Sequence, residues 1–110
     1  MRIRMFLMAT VLATSAYGVE TPMPEFADPN IACAALKGDF YINDCLKKAQ
    51  SGYDTAKALW LRISEETARH CSMVAKGVAL TYRYSILGEC VAQYYYGRDK
   101  PNEKAPPFAR

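Results

Sequence analysis

The sequence predicts an all-α fold, a small disulfide-stapled bundle of about four helices, and three observations carry that prediction. Apolar residues recur at spacings of three and four from about residue 41 onward, and there is no strand-like alternation of any length. Helix-opening and helix-stopping residues punctuate the pattern. Four cysteines, Cys33, Cys45, Cys71 and Cys90, fall in a chain of only 110 residues. An even count in a short exported chain implies a disulfide framework. A domain of this size buries only about 60% of the surface its unfolded chain exposes, and two disulfides at about 2 to 4 kcal/mol each add a decisive margin over chain entropy.

The elements follow in order. Arg2 and Arg4 precede an apolar run over residues 5–13, then small or polar residues through Gly18, the three-part pattern of a secretory signal peptide. The run is about half of the roughly 18 to 20 residues that a bilayer core requires, so residues 1–18 are read as a cleaved leader. Cleavage after Gly18 uses Ala16 and Gly18 as the small residues before the cut; cleavage after Ala16 uses Thr14 and Ala16, and the first is preferred. The first cysteine is Cys33, so neither cut leaves a cysteine to carry a lipid anchor. The mature chain is expected to be soluble, periplasmic or secreted, with no stable membrane insertion.

Residues 19–28, with Pro22, Pro24 and several acids, show no period and read as a flexible lead-in. The helical four-cysteine domain covers residues 29–97. It opens with Asp28 as N-cap and Pro29 at the first helical position, and Gly38 is the natural stop of this short first helix. A second helix over residues 41–63, behind Asp39, places Cys45, Ala49, Gly52/Tyr53, Ala56, Leu59/Trp60 and Ile63 on one face. Ser64, Glu65 and Glu66 open a third, which turns Ala68, Cys71 and Val74/Ala75 inward and stops at Gly77. The fourth begins near Thr81, buries Tyr82, Ile86/Leu87, Cys90/Val91 and Tyr94, and closes at Gly97. Residues 98–110, three prolines and charged residues around Phe108, read as a disordered tail.

Four cysteines allow three pairings. Cys45 lies about 18 residues before the turn at residues 63–64 and Cys71 about 7 after it, a difference in height greater than a disulfide can span. That disfavours Cys45–Cys71. The balanced hairpins favour Cys33–Cys45 with Cys71–Cys90, with Cys33–Cys71 and Cys45–Cys90 as the rival pairing.

Charge and motifs exclude several functions. Fourteen basic and eleven acidic residues give a formal charge of +3; losing residues 1–18 removes two of the bases and none of the acids, leaving +1. Lys47–Lys48 is the only adjacent basic pair inside the domain, so no nucleic-acid footprint is expected. His70, the single histidine, is followed by Cys71, but neighbours on a helix point about 100° apart and the thiol is expected to be oxidised. The chain has no C-x2-C knuckle for zinc, no G-x-S-x-G elbow, and no phosphate or calcium loop. Its carboxylates are explained by capping and solvation. No enzyme, cofactor or metal is expected.

The aromatic residues are the more informative feature. Tyr94, Tyr95 and Tyr96 sweep most of a helix circumference, so at least one faces solvent, and with Tyr84 they form a candidate interaction surface of large amphipathic contact area.

The spacing of Cys33, Asp44–Cys45–Leu46, Ala56 and Trp60, Arg69 before Cys71, and Tyr84 before Cys90 resembles a group of small uncharacterised four-cysteine exported proteins of rhizobia and related alphaproteobacteria. The likeness covers residues 33–91. The turn before the last helix lacks the proline common in that group, and Thr81–Tyr82–Arg83–Tyr84 stands where a Ser-Tyr pair is usual. The resemblance implies a periplasmic location, an all-helical fold and a disulfide framework, with no catalytic residue. More distantly, the chain resembles the LprI-type lysozyme-inhibitor domain, although its segment between Cys45 and Cys71 is shorter. The expectation is an exported, non-enzymatic binding or structural accessory protein whose partner is another periplasmic or extracellular protein. The alternatives are an inhibitor of a cell-wall hydrolase such as lysozyme and a small hydrophobic-ligand carrier.

Overall fold

The structure, a computed structural model, describes residues 19–101; the expected leader and residues 102–110 of the expected tail lie outside it. The described residues are helical with no strand: α1 Pro29–Ala32, α2 Asp39–Leu59, α3 Glu65–Lys76 and α4 Arg83–Tyr94, with 3-10 turns after α1 and α2 and before α4.

Local chemistry sets these boundaries. Asp28 accepts a hydrogen bond from the Asn30 N–H at 2.9 Å, with Pro29 in the first turn of α1. Ser64 Oγ accepts from Thr67 N–H at 3.1 Å, with Glu65 and Glu66 in the first turn of α3, and Gly77 caps its end. Gly38 has a φ of +100°, a conformation side-chain-bearing residues avoid, and serves as the N-cap of α2 rather than only as the stop of the element before it.

Helices α2 and α4 run side by side in the same direction, and α3 runs back along the far side of α4. Cys45 Sγ lies 3.8 Å from the Thr81 carbonyl oxygen, and Gly52 meets Tyr84, Ser85 and Gly88 further along. At that crossing a Cβ on Gly52 would lie 2.1 Å from the Tyr84 carbonyl oxygen, and one on Gly88 would lie 2.4 Å from that of Gly52. Two glycines facing each other let the backbones touch. Ala56, Leu59, Trp60 and Ile63 from the α2 side, Ala68, Cys71 and Ala75 from α3, and Leu87, Cys90, Val91 and Tyr95 from the α4 side form the core. Disulfides join Cys33 to Cys45 and Cys71 to Cys90, with Cα–Cα distances of 5.8 and 5.6 Å.

Three expectations are corrected. Residues 19–28 are a strap packed on the bundle, with Val19, Met23 and Phe26 against the core. Trp60 Nε1–H donates to the Thr21 carbonyl at 2.9 Å, Glu65 Oε1 accepts from the Glu20 N–H at 2.8 Å, and Tyr84 Oη accepts from the Phe26 N–H at 2.9 Å. The segment has no period because its backbone is bound by side chains instead of by a helix or sheet.

The second correction concerns Arg98 and Asp99, which belong to the fold and not to a tail. A π turn over Tyr95–Asp99 extends α4, Arg98 Nη2 donates to Thr67 Oγ1 at 2.7 Å, and Asp99 Oδ2 accepts the Ser64 N–H at 3.2 Å. The third concerns the inward-facing residues of α3 and of the segment from Thr81 to Tyr95. Tyr82 is exposed and Val74 leans outward, while Tyr95, in the π turn, is buried in their stead. Tyr95 follows Leu87 and Val91 at successive spacings of four and so continues the buried stripe of α4, while Tyr94 lies beside that stripe.

Candidate functional site

The four tyrosines singled out from the sequence occupy different environments. Tyr84 belongs to the strap's seat: its ring lies 5.1 Å from Phe26 and 5.3 Å, edge-on, from Tyr53. Tyr94 is half-buried against α3, edge-on to His70, with Tyr94 Oη 3.3 Å from His70 Nε2 and the Arg98 guanidinium 5.3 Å above its ring. Tyr95 is only 5% exposed and packs in the core, whereas Tyr96 is 64% exposed with the Lys100 ammonium 5.7 Å from its ring. Of the run, Tyr96 alone presents most of its ring to solvent.

His70 therefore stands on an exposed face with a phenol as its neighbour. Among the described residues no group of three or more His, Cys, Asp or Glu side chains could hold a metal ion, and all four cysteine sulfurs are spent in disulfides.

A different aromatic surface emerges at the opposite end of the bundle. Helix α2 has 21 residues and α4 has 12, so at 1.5 Å per residue their lengths are about 31 and 18 Å. The first turns of α2 overhang. There Phe40 and Tyr41, with rings 5.3 Å apart and edge-on, are 73% and 61% exposed. Tyr82, in the turn that leads into α4, is 57% exposed across from them, and Leu80 and Ile31 are exposed at the same end. Between Tyr41 and Tyr82 lies an open cleft of about 370 Å³ whose wall includes Cys45 of the first disulfide, with Asp44, Lys48, Thr81 and Ser85 as polar groups. Asp44 and Lys48, one turn apart, pair at 3.2 Å. The disulfide fixes α1 and its 3-10 turn beside α2, which gives the cleft a second wall at Leu36 and Lys37.

This arrangement offers two rings, the hydroxyls of Thr81 and Ser85, and the mutually paired charges of Asp44 and Lys48. A second cleft of about 300 Å³ flanks the glycine crossing between Lys48, Ser51, Thr55 and Glu89. Both clefts are open at the surface and carry charges, whereas a hydrophobic-ligand carrier calls for an apolar interior space.

Sequence reasoning missed Phe40 and Tyr41. Tyr41 lies four residues before Cys45 and so falls on the core stripe; the signal that it escapes burial is the length mismatch between the second and fourth helical segments. Among the described residues two carboxylates are shifted, Glu65 in the first turn of α3 and Asp99 at the end of the π turn, against Ser64. Hydrogen bonds from the Thr21 hydroxyl and N–H, with smaller help from the Glu20 N–H and the Arg69 charge, hold Glu65 below its ordinary pKa. Asp99 is pushed up by burial, but the hydrogen bonds from Thr67 and the Ser64 N–H, together with Arg98, outweigh this and leave it lowered. Both shifts belong to the clasp that holds the chain ends.

Compared with protein-family models, curated proteins and solved structures, the chain matches none of them.

Proposed function

We propose that this chain is an exported, non-enzymatic binding protein, periplasmic or secreted, that docks a partner protein on the aromatic cleft at the overhanging end of α2. The observation that carries the reading is the exposure of Tyr41 and Tyr82 on the walls of one cleft that a disulfide fixes, with exposed Phe40 edge-on to Tyr41. Exposed aromatic rings on rigid backbone bring large contact area at small entropic cost, and such residues dominate the energetics of protein interfaces.

Export is supported by the leader-like sequence of residues 1–18 and by two disulfides, which persist in oxidising compartments. No helix among the described residues is long and apolar enough to cross a membrane.

The test is site-specific photo-crosslinking in the producing cell, with a photoreactive aromatic residue placed in turn at positions 41, 82 and 96. The reading expects one and the same protein adduct from positions 41 and 82, lost when Phe40→Ser is added, and absent from position 96. No adduct at the cleft, or an equal yield of the same adduct from position 96, would overturn it.

A further inference from the structure

Strap residues 20–26 lie on the bundle as a bound peptide lies on a receptor. Pro22 and Pro24 fix their own φ and disfavour the helical region at Thr21 and Met23, so this stretch is extended before it meets the helices, and the prolines bring no N–H that needs a partner. Thr21, Met23, Pro24 and Phe26 are half-buried, while Glu20, Pro22 and Glu25 are exposed. No residue from 19 to 28 is fully buried, whereas α2, α3 and α4 each contain buried residues. Such a segment belongs to the part of a fold that opens most easily.

The seat binds the strap's backbone as well as its side chains. Trp60 Nε1–H donates at 2.9 Å to the Thr21 carbonyl, the one that precedes Pro22. Glu65 Oε1 accepts the N–H groups of Glu20 and Thr21 at 2.8 and 3.1 Å, its Oε2 accepts the Thr21 hydroxyl, and Arg69 steadies that oxygen at 3.0 Å. Tyr84 Oη accepts the Phe26 N–H at 2.9 Å, and the Phe26 ring lies between the Tyr84 ring at 5.1 Å and the Arg83 guanidinium at 5.8 Å. Every one of these seat groups stands on α2's 3-10 turn, α3 or α4, elements that the core holds together. An aromatic-lined groove with a donor for the carbonyl of an extended proline-containing segment is a recurring mode of peptide recognition.

We infer that this seat is a binding site for an extended, proline-containing segment of a partner protein, with the strap as its resident occupant, displaced when the partner's segment binds. The chemistry of the seat defines what fits: a hydroxyl residue before a proline, to meet Glu65 and Trp60; an apolar residue two positions after the hydroxyl residue, where Met23 now packs on the core; and an aromatic residue five after it, to lie on Tyr84. The connector at Ala27 and Asp28 is exposed, and α1 beyond it is tied to α2 by Cys33–Cys45, so the strap can leave while α1 stays. The seat shares no residue with the cleft at Tyr41 and Tyr82, so either can fail alone.

A tethered strap competes at an effective concentration in the millimolar range. The apparent affinity for a free peptide is therefore reduced by the fraction of seats left empty, and weakening the strap restores it.

The probe is a fluorescent synthetic peptide of residues 19–28, titrated by anisotropy onto the full chain, onto Phe26→Ser and onto Thr21→Val, which removes only the hydroxyl that meets Glu65. Both variants should bind it more tightly than the parent, Phe26→Ser by tenfold or more. Adding Trp60→Phe to either should weaken binding about fivefold, the equivalent of one hydrogen bond, and a peptide with both prolines replaced by alanine should bind weaker by a similar factor, since it loses its preformed extended shape. Equal affinity for parent and variants, or indifference to Trp60→Phe, would place the peptide elsewhere and overturn the site. A second measurement needs no variant: with about 1 mM peptide, hydrogen exchange in the parent chain should quicken at the amides of Glu20, Thr21 and Phe26 and stay unchanged in α4. Unchanged exchange at the strap overturns displacement.

Discussion

Gly88 has a backbone carbonyl where any other residue would put a side chain. Its added Cβ would lie 2.4 Å from the Gly52 carbonyl oxygen and 2.5 Å from the Gly52 Cα, and neither atom can swing aside. Gly88→Ala must therefore push α2 and α4 apart, and about 2 to 3 kcal/mol of destabilisation is expected from such overpacking. Urea unfolding read by Trp60 fluorescence measures it. Gly97→Ala is the matched control, since nothing lies within 4 Å of its added Cβ; there the gain in helical preference should leave stability unchanged or raise it by about 0.5 kcal/mol. At the end of the π turn, Asp99, which accepts the Ser64 N–H, is a residue-scale switch of acid stability. Its pKa is lowered in the folded state, so the folded chain holds the ionised form more firmly than the unfolded chain does. The stabilisation is fully present above the unfolded value of about 3.9 and is lost as pH falls through the lower folded value. Asp99→Asn should lower the thermal midpoint at pH 6 and narrow the gap to the parent as pH drops from 4 to 2. A gap that stays constant over that range would show that the carboxylate's charge has no part in the clasp.

Among the elements, the strap differs most from what its sequence suggests. It is held by Trp60, Glu65 and Tyr84, side chains 39 to 58 residues away along the chain, and by Val19, Met23 and Phe26 on the core. Replacing Trp60 with Phe keeps most of the ring in place but removes the indole N–H from the Thr21 carbonyl, and should cost about 1 kcal/mol. It should also raise hydrogen exchange at the strap amides of Glu20, Thr21 and Phe26 while leaving those of α4 protected. Uniform loss of protection would mean that the strap and core open as one unit. The helices were legible because their signals are local: the spacing of Cys45, Ala49, Ala56 and Trp60 is enough to define the buried face of α2, and Ser64 with two following acids is enough to start α3. The strap was not legible because a segment such as Thr21–Pro22–Met23–Pro24 has no period to read. Its partners are fixed only once α2, α3 and α4 are assembled. The candidate cleft was hidden for a related reason: Tyr41 is on the core stripe, and only the shortness of α4 leaves it uncovered.

At the scale of the whole molecule the two disulfides have different tasks. Cys71–Cys90 lies inside the core, ties α3 to α4 and closes 19 residues of sequence. Cys33–Cys45 closes 12 and ties α1 and its 3-10 turn to the overhang of α2, outside that core cluster. Chain entropy gives each loop a stabilisation of about 3 kcal/mol, so by loop length alone their removal should look alike. Position separates them. Taking away both Cys71 and Cys90 as alanine also leaves a gap among Ala68, Ala75, Leu87 and Val91 and frees the helix that carries half of the clasp, so cooperative unfolding should be lost or shifted by well over that amount. Taking away Cys33 and Cys45 as serine should leave a chain that still unfolds cooperatively, with native helicity from α2 to α4 and a lower midpoint, but with the wall at Leu36 and Lys37 free to move away from Tyr41. If the cleft is the binding surface, that second variant keeps its fold and loses the crosslinks from positions 41 and 82. Circular dichroism and urea midpoints read the first half of this prediction and crosslinking yield the second. Retained helicity together with an undiminished crosslink would show that the cleft needs no disulfide to hold it open.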